Sequence, residues 1–283
     1  MQKVNWHCRY APSLGALEGT PTEVWGLPMV YDFEDPVVYF GLYSLNDFNE
    51  LRNDLSKRKA ILWAGSDIKH FINGYWLDDE GKIRIDPLPL AQWISENCES
   101  YTENMVEADA LRELGIESQV VPSFMGNVND YDLEYVWDER PKVYLSVSGD
   151  NFEMYGWTLI EEIADKCNVD FFLYGNRTPY ESKHTNVFVR GRVPKEVMNE
   201  EVKKMQCGLR TLEFDGFSEI LAKSILWGQH PISYIEYPHI ESFKTREELI
   251  KKLNNLVTKK SPNIEGREYY LKHLNNYPWN AKN

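Results

Sequence analysis

The stretch Cys207-Gly-Leu-Arg210-Thr-Leu-Glu-Phe-Asp215-Gly-Phe-Ser218-Glu-Ile-Leu-Ala-Lys-Ser-Ile-Leu-Trp227-Gly228-Gln-His-Pro231-Ile-Ser233 decides the fold. Gly208 to Leu212 reads as the end of a strand, Asp215-Gly216 as a turn, and Ser218 as the cap of a helix that runs to Trp227 and stops at Gly228. Ile220, Leu221, Ser224, Ile225 and Trp227 give that helix a flank to pack on a sheet, with its N-terminus facing outward. Unpaired N–H groups and the positive end of the dipole make a helix start an anion cradle, once a glycine lets the backbone come close. Gly216 and Ser218 meet those conditions. Arg210 offers a forked cation for phosphate oxygens, and Asp215 an acceptor for sugar hydroxyls. The same residues also suit an ordinary strand, turn and capped helix.

Working outward, the second half of the chain alternates strand and helix. Lys142 to Val147 reads as a strand ending at Gly149, Gly156 to Cys167 as a helix, and Val169 to Tyr174 as a strand closed by Gly175. Asn186 to Pro194 gives another strand and turn, Lys195 to Gln206 another helix, and Pro231 to Ile235 a last strand. In the first half, Val37 to Tyr43 is a continuous apolar run of the kind buried in a parallel sheet. A helix capped by Asn46 or Asp47 follows, then a strand over Ala60 to Ala64 running into Gly65-Ser66-Asp67. Strand, helix, strand is a crossover unit, and ligands of open sheets gather beyond the carboxyl ends of the strands, where Gly65 and Asp67 sit. Val4 to Cys8 reads as a short strand, with His7 and Arg9 as weaker ligand candidates. Asp78 to Lys82 reads as a polar hairpin-like insertion.

These signals predict an α/β chain of two Rossmann-like, doubly wound domains facing each other across a cleft. Residues 1–126 form the N-terminal domain, 127–141 an acidic linker ending in proline, and 142–240 the C-terminal domain. Helices over 241–283 are expected to pack back across the interface.

A length of 283 residues suits two domains. No run approaches the roughly 18 apolar residues of a membrane span, and the N-terminus lacks the apolar stretch of a signal peptide, so a cytoplasmic location is expected. The formal net charge of −13 opposes nonspecific attraction to nucleic acid or anionic lipid. Cys8, Cys98, Cys167 and Cys207 are scattered, without a Cys-x-x-Cys pair or clustered histidines, which suggests reduced thiols and neither a disulfide framework nor a zinc site.

The C-terminal half resembles the nucleotide-binding domain of the retaining GT-B glycosyltransferases, the superfamily (glycosyl transferases group 1) of bacterial glycogen synthase and many polysaccharide glycosyltransferases. The likeness rests on the strand ending at Gly149, Tyr174-Gly175, Asn186-Val187 to Gly191-Arg192-Val193, Gly208-Leu209-Arg210, and Asp215-Gly216-Phe217-Ser218 before the helix ending Trp227-Gly228. Trp63 to Asp67 and Leu111 to Pro122 are similar to strand ends of the partner domain. The resemblance implies a nucleotide-sugar donor, a UDP- or GDP-sugar, and a hydroxyl-bearing acceptor, with no metal required. Gly149, Gly191 and Val193 would meet the nucleotide, Gly216, Phe217 and Ser218 the diphosphate, and Asp215 the transferred sugar, with Arg210 and Asp67 completing the catalytic set.

The chain departs from that pattern in two places. Family members carry an acidic residue eight positions after the one at Asp215, where this chain has Lys223. They also carry an arginine and a lysine after the first strand of the C-terminal domain, where this chain has Asp150 and Tyr155. Arg190, Arg192, Arg210 and Lys223 are then the candidate diphosphate cations, with Glu219 beside them, although Lys223 is equally placed to pair with Glu219 four residues earlier. The expected activity is sugar transfer to an acceptor hydroxyl. The alternatives are a degenerate GT-B scaffold that only binds, and a transferase acting on modified DNA bases.

Overall fold

Strands of this chain are short and mutually parallel, and the central ones, such as Val37–Phe40 and Lys142–Ser146, are largely buried, as strands covered on both faces must be. In the computed structural model, which describes residues 6–11, 24–28, 35–77 and 83–280, two all-parallel sheets form. The chain divides into two units: Met1–Asn127 with Phe214–Phe217 and His273–Asn283, and Val128–Glu213 with Ser218–Lys272.

The first unit orders its strands β1 (His7–Tyr10), β2 (Val37–Phe40), β3 (Lys59–Leu62), β4 (Cys98–Thr102) and β5 (Gln119–Val120) in chain sequence. Alternation along β2 sends Val37 and Tyr39 into one apolar cluster and Val38 and Phe40 into another, and Ile61 and Leu62 divide in the same way. Helix α1 (Leu45–Asn53) begins at Ser44, whose side chain accepts from Asp47 N–H while the Asp47 carboxylate accepts from Ser44 N–H. The cap is therefore Ser44, with Asp47 as its reciprocal partner, rather than Asn46 or Asp47. The expected strand over Ile116 to Pro122 shrinks to β5, since both of its residues are exposed and little apolar surface rewards extending it. Helices α2 (Ser66–Ile72), α3 (Leu88–Asn97) and α4 (Met105–Arg112) complete the unit. Residues 78–82 and Val4 lie outside the described residues. His7 is buried rather than offered to a ligand, and burial lowers its pKa.

The second unit has β6 (Lys142–Ser146), β7 (Asp170–Tyr174), β8 (Val187–Gly191), β9 (Cys207–Arg210), β10 (Ile232–Ser233) and β11 (Glu241–Ser242) in the order β11-β10-β9-β6-β7-β8. Its helices are α5 (Trp157–Ile163), α6 (Lys195–Val202), α7 (Glu219–Leu226), α8 (Arg246–Asn255) and α9 (Ile264–His273). Val143, Leu145, Trp157, Ile160, Phe171, Leu173, Leu249 and Leu253 form its core. The segment read as a linker has a single short turn at Val128–Asp130 and then lies along this unit. There Glu134 N–H donates to the Trp227 carbonyl at 3.1 Å, and Trp137 Nε1–H to that of Val257 at 2.9 Å. All four cysteines are free, and burial pushes the Cys8, Cys98 and Cys167 thiols up to about 12.

Candidate functional site

The strand order of the second unit locates its site. The chain leaves β6 toward β7 and β8, then returns to lay β9 on the other side of β6, so the connections diverge between β6 and β9. Crevices at such a point, beyond the carboxyl ends of the strands, are where open sheets take ligands. Gly149 follows β6 there with φ +62°, and nothing lies within 4 Å of where its Cβ would be. Arg210 ends β9 with its guanidinium 4.8 Å from the centre of the Tyr155 ring. Gly156, with φ +77°, abuts the Thr211 side chain so closely that a Cβ would collide with it. Thr211 Oγ1 and, after β7, Asn176 Oδ1 are buried and make no hydrogen bond among the described residues. Such orphans are uncommon in a folded chain.

The sequence-predicted residues of this unit divide by what they touch. Arg190 is engaged by Glu201, its Nη2 2.6 Å and its Nε 3.1 Å from the two carboxylate oxygens, and the Tyr174 hydroxyl donates to the same carboxylate at 2.7 Å. These bonds hold Glu201 below the usual carboxylate range. Asp150, at φ 55°, accepts from the N–H groups of Arg177 at 2.7 Å and Thr178 at 3.0 Å, so it braces the loop after β7. Lys223 lies 3.7 Å from Glu219, the helical pair that the spacing allows, and reaches Asn199 Oδ1 at 3.3 Å. Ser218 caps α7, its hydroxyl accepting from Ile220 N–H at 3.3 Å. Gly191 has φ +74° with open space where a Cβ would be, and the half-buried Val193 follows it.

Residues 214–217 belong with the first unit, where a group of carboxylates clasps them. The Phe217 N–H donates to Glu103 Oε2 at 2.6 Å, and the Ser123 hydroxyl donates to the other oxygen. Gly216 leaves room for this contact, because a Cβ there would meet Glu103 Oε2 and the carboxylate would have to shift. Asn104, the cap of α4, donates from Nδ2 to the Asp215 carbonyl at 2.7 Å and accepts from Glu107 N–H at 3.1 Å. Glu107 in turn accepts from Glu103 N–H at 2.8 Å through Oε2, whereas its buried Oε1 has no partner. Burial first, then the charge of Glu103, pushes the Glu107 carboxyl well above the usual carboxylate range. Among the described residues no group of three or more His, Cys, Asp and Glu is arranged to hold a metal ion.

Asp67 is fully buried, and burial raises its carboxyl to about 6. It accepts from the N–H groups of Leu42, Ala64 and Ile68, each at 2.9 Å. These bonds join the ends of β2 and β3 to α2. Gly65 beside it has φ +84°, and a Cβ there would come 2.8 Å from Gly216 N. Sequence reasoning missed Glu103 and Glu107. Their signal is two like charges four residues apart around a capping asparagine, a pairing that costs stability unless a fold uses it.

No family model and no curated protein matches the sequence. Solved structures do match. TarM superposes with a TM-score of 0.53 at 13% identity, over 84% of this chain and 52% of TarM. Anabaena HepE, solved with UDP and glucose, gives 0.56 at 10% identity over 87% of this chain and 75% of HepE. Sucrose-phosphate synthase from Thermosynechococcus elongatus gives 0.60 at 11% identity over 85% and 69%. The fold is GT-B. The chain spans about half the length of TarM, and at these identities the likeness is one of architecture. Among the described residues of this GT-B chain, no helix is long and apolar enough to cross a membrane.

Proposed function

We propose that the protein is a glycosyltransferase, moving a sugar from a nucleoside diphosphate to an acceptor hydroxyl. The observation that carries this reading is the divergence point between β6 and β9, with Gly149 open, Arg210 at the strand end, and buried Thr211 Oγ1 and Asn176 Oδ1 awaiting partners. UDP bound to HepE supports a nucleotide donor of this kind. In net terms the acceptor oxygen bonds to the anomeric carbon, the bond from that carbon to the diphosphate oxygen breaks with its electron pair leaving on the diphosphate, and the hydroxyl proton is released. The protein's contribution is to position the two substrates and to stabilise the charge developing on the leaving group.

Arg210 is the cation for that charge, held over Tyr155. Gly191 and Val193 meet the base, and Asp215 the transferred sugar. Transfer with retention, without a metal and in the cytoplasm, is the form of the activity most consistent with the resemblance read from the sequence. The Phe217 amide can serve the diphosphate only when Glu103 yields it.

A second reading has its own support. Glu103 on the Phe217 amide and Lys223 paired with Glu219 are what a GT-B scaffold that has lost donor binding would contain. Calorimetry with UDP and GDP separates the two readings, followed by assay of nucleotide release from UDP- and GDP-sugars. Binding that Arg210→Ala abolishes, together with slow donor hydrolysis, is expected of the transferase. No affinity for any nucleoside diphosphate would leave the scaffold.

A further inference from the structure

A cavity of about 450 Å³ in the first unit is lined by Tyr43, Ser44, Ser66, Lys69, His70, Trp76 and Arg84 among others, with no carboxylate in its wall among the described residues. Lys69 and His70 come from the last turn of α2, where the helix dipole alone accounts for basic residues. Arg84 comes from elsewhere, a hairpin in which Leu77 N–H donates to the Ile83 carbonyl at 2.8 Å and Ile85 N–H to that of Tyr75 at 3.1 Å. That hairpin is fixed at two points. Gly74, at φ +74°, has the Ile85 carbonyl where a Cβ would be, and the buried Tyr75 hydroxyl donates to the Leu42 carbonyl at 2.6 Å.

On this frame the Arg84 guanidinium lies 3.9 Å from the centre of the Trp76 ring and donates to the Asn73 carbonyl at 3.2 Å. Trp76 stays 47% exposed. Lys69 meets only the Phe214 ring, at 4.8 Å, and neither Lys69, His70 nor Arg84 has a carboxylate partner among the described residues. Among the described residues Arg58, Arg112, Arg140, Lys142, Arg190 and Arg246 are each paired with an acid, whereas Lys69 and Arg84 line one cavity and neither is. An exposed indole beside a stacked guanidinium offers a flat apolar surface for a sugar ring and a fork for an oxyanion.

We propose that this cavity binds an anionic sugar, a pyranose bearing a phosphate or carboxylate group. Resting on the transferase reading above, this makes the acceptor an acidic glycoside rather than a neutral one. Arg84 takes the oxyanion, Lys69 adds positive potential, and Trp76 stacks on the ring.

The test uses the whole chain labelled with ¹⁵N, without nucleotide, titrated with glucose 6-phosphate, glucuronate, methyl glucoside and inorganic phosphate. The reporter is the Trp76 indole N–H resonance, identified by its loss in Trp76→Phe. Expected is a shift with one or both acidic sugars, with the stronger of the two identifying phosphate or carboxylate, and a response that fades at about 1 M salt. Arg84→Gln should weaken that binding about tenfold, as loss of a charged hydrogen bond does. Lys69→Gln, on a separate element, should weaken it too and covers the case in which the hairpin variant does not fold. A methyl glucoside response equal to that of the acids, an equal response to inorganic phosphate, unchanged affinity in both variants, or no response at all would overturn the proposal. Since no nucleotide is present, sugar binding without UDP or GDP affinity would fault the transferase reading alone, and the reverse would fault this cavity alone.

Discussion

Replacing Glu103 by glutamine probes whether a diphosphate ever reaches the Phe217 amide. Glu103 places a carboxylate oxygen 2.6 Å from that N–H, with Ser123 donating to the other oxygen and the side chain almost wholly buried. Glutamine keeps an acceptor for Phe217 and turns its amide toward Ser123, whose hydroxyl can rotate to accept, so the substitution should cost no more than about 1 kcal/mol of stability. What it removes is charge. Two like charges about 5 Å apart repel by about 3 kcal/mol at an effective dielectric near 20. If solvent screens two thirds of that, about 1 kcal/mol survives, so the gain in UDP affinity should lie between about five-fold and about a hundred-fold. Calorimetric titration of the parent and Glu103→Gln proteins in the same buffer measures it, with thermal melts to establish that both are folded. Equal or weaker UDP binding in a folded Glu103→Gln protein would refute the reasoning, and with it any phosphate role for Gly216 and Phe217.

Protonation gives a second expectation. Asp67 and Glu107 both hold protons more tightly folded than unfolded, chiefly because burial disfavours their charged forms. Their contribution is therefore fully present below the unfolded-state pKa and is lost as pH rises, through about 6 for Asp67 and through its own raised folded-state value for Glu107. Glu107→Gln imitates the protonated acid. Its melting temperature relative to the parent should be unchanged near pH 4 and should climb as the buffer is made more alkaline, by about 1.4 kcal/mol per pH unit until the native carboxyl ionises. A difference that stays flat from pH 4 to 9 would contradict a raised Glu107 carboxyl. Gly156→Ala combines a left-handed backbone with a collision against Thr211, and should destabilise the protein by about 2–4 kcal/mol, read as a fall in urea midpoint. A fully stable Gly156→Ala would mean that the loop before α5 is not held as described.

The parallel sheets and their helices were legible in the chain because they follow from short-range chemistry, and the GT-B architecture through the family resemblance carried by the strand-end glycines and the Asp215-Gly216-Phe217-Ser218 turn. Apolar runs such as Val37 to Phe40 and Val143 to Leu145 read as buried strands, Ser218 caps its helix, and Gly149, Gly175 and Gly191 close their strands with the positive φ that glycine permits. The helical pairing of Lys223 with Glu219 was equally visible, since four residues set that distance on a helix. What tertiary structure alone decided is which charges meet. Glu103 and Phe217 are 114 residues apart, yet the carboxylate sits on the amide that an anion would use. Asp67, read as catalytic from its place at a strand end, is claimed by three backbone donors, one of them from Leu42, 25 residues away. Arg84 and Lys69 join in one wall only because a hairpin closes over Gly74. Periodicity and turn chemistry act over a few residues and set the elements. The partners of a charged group are fixed by packing between elements far apart in sequence, and no local pattern encodes them.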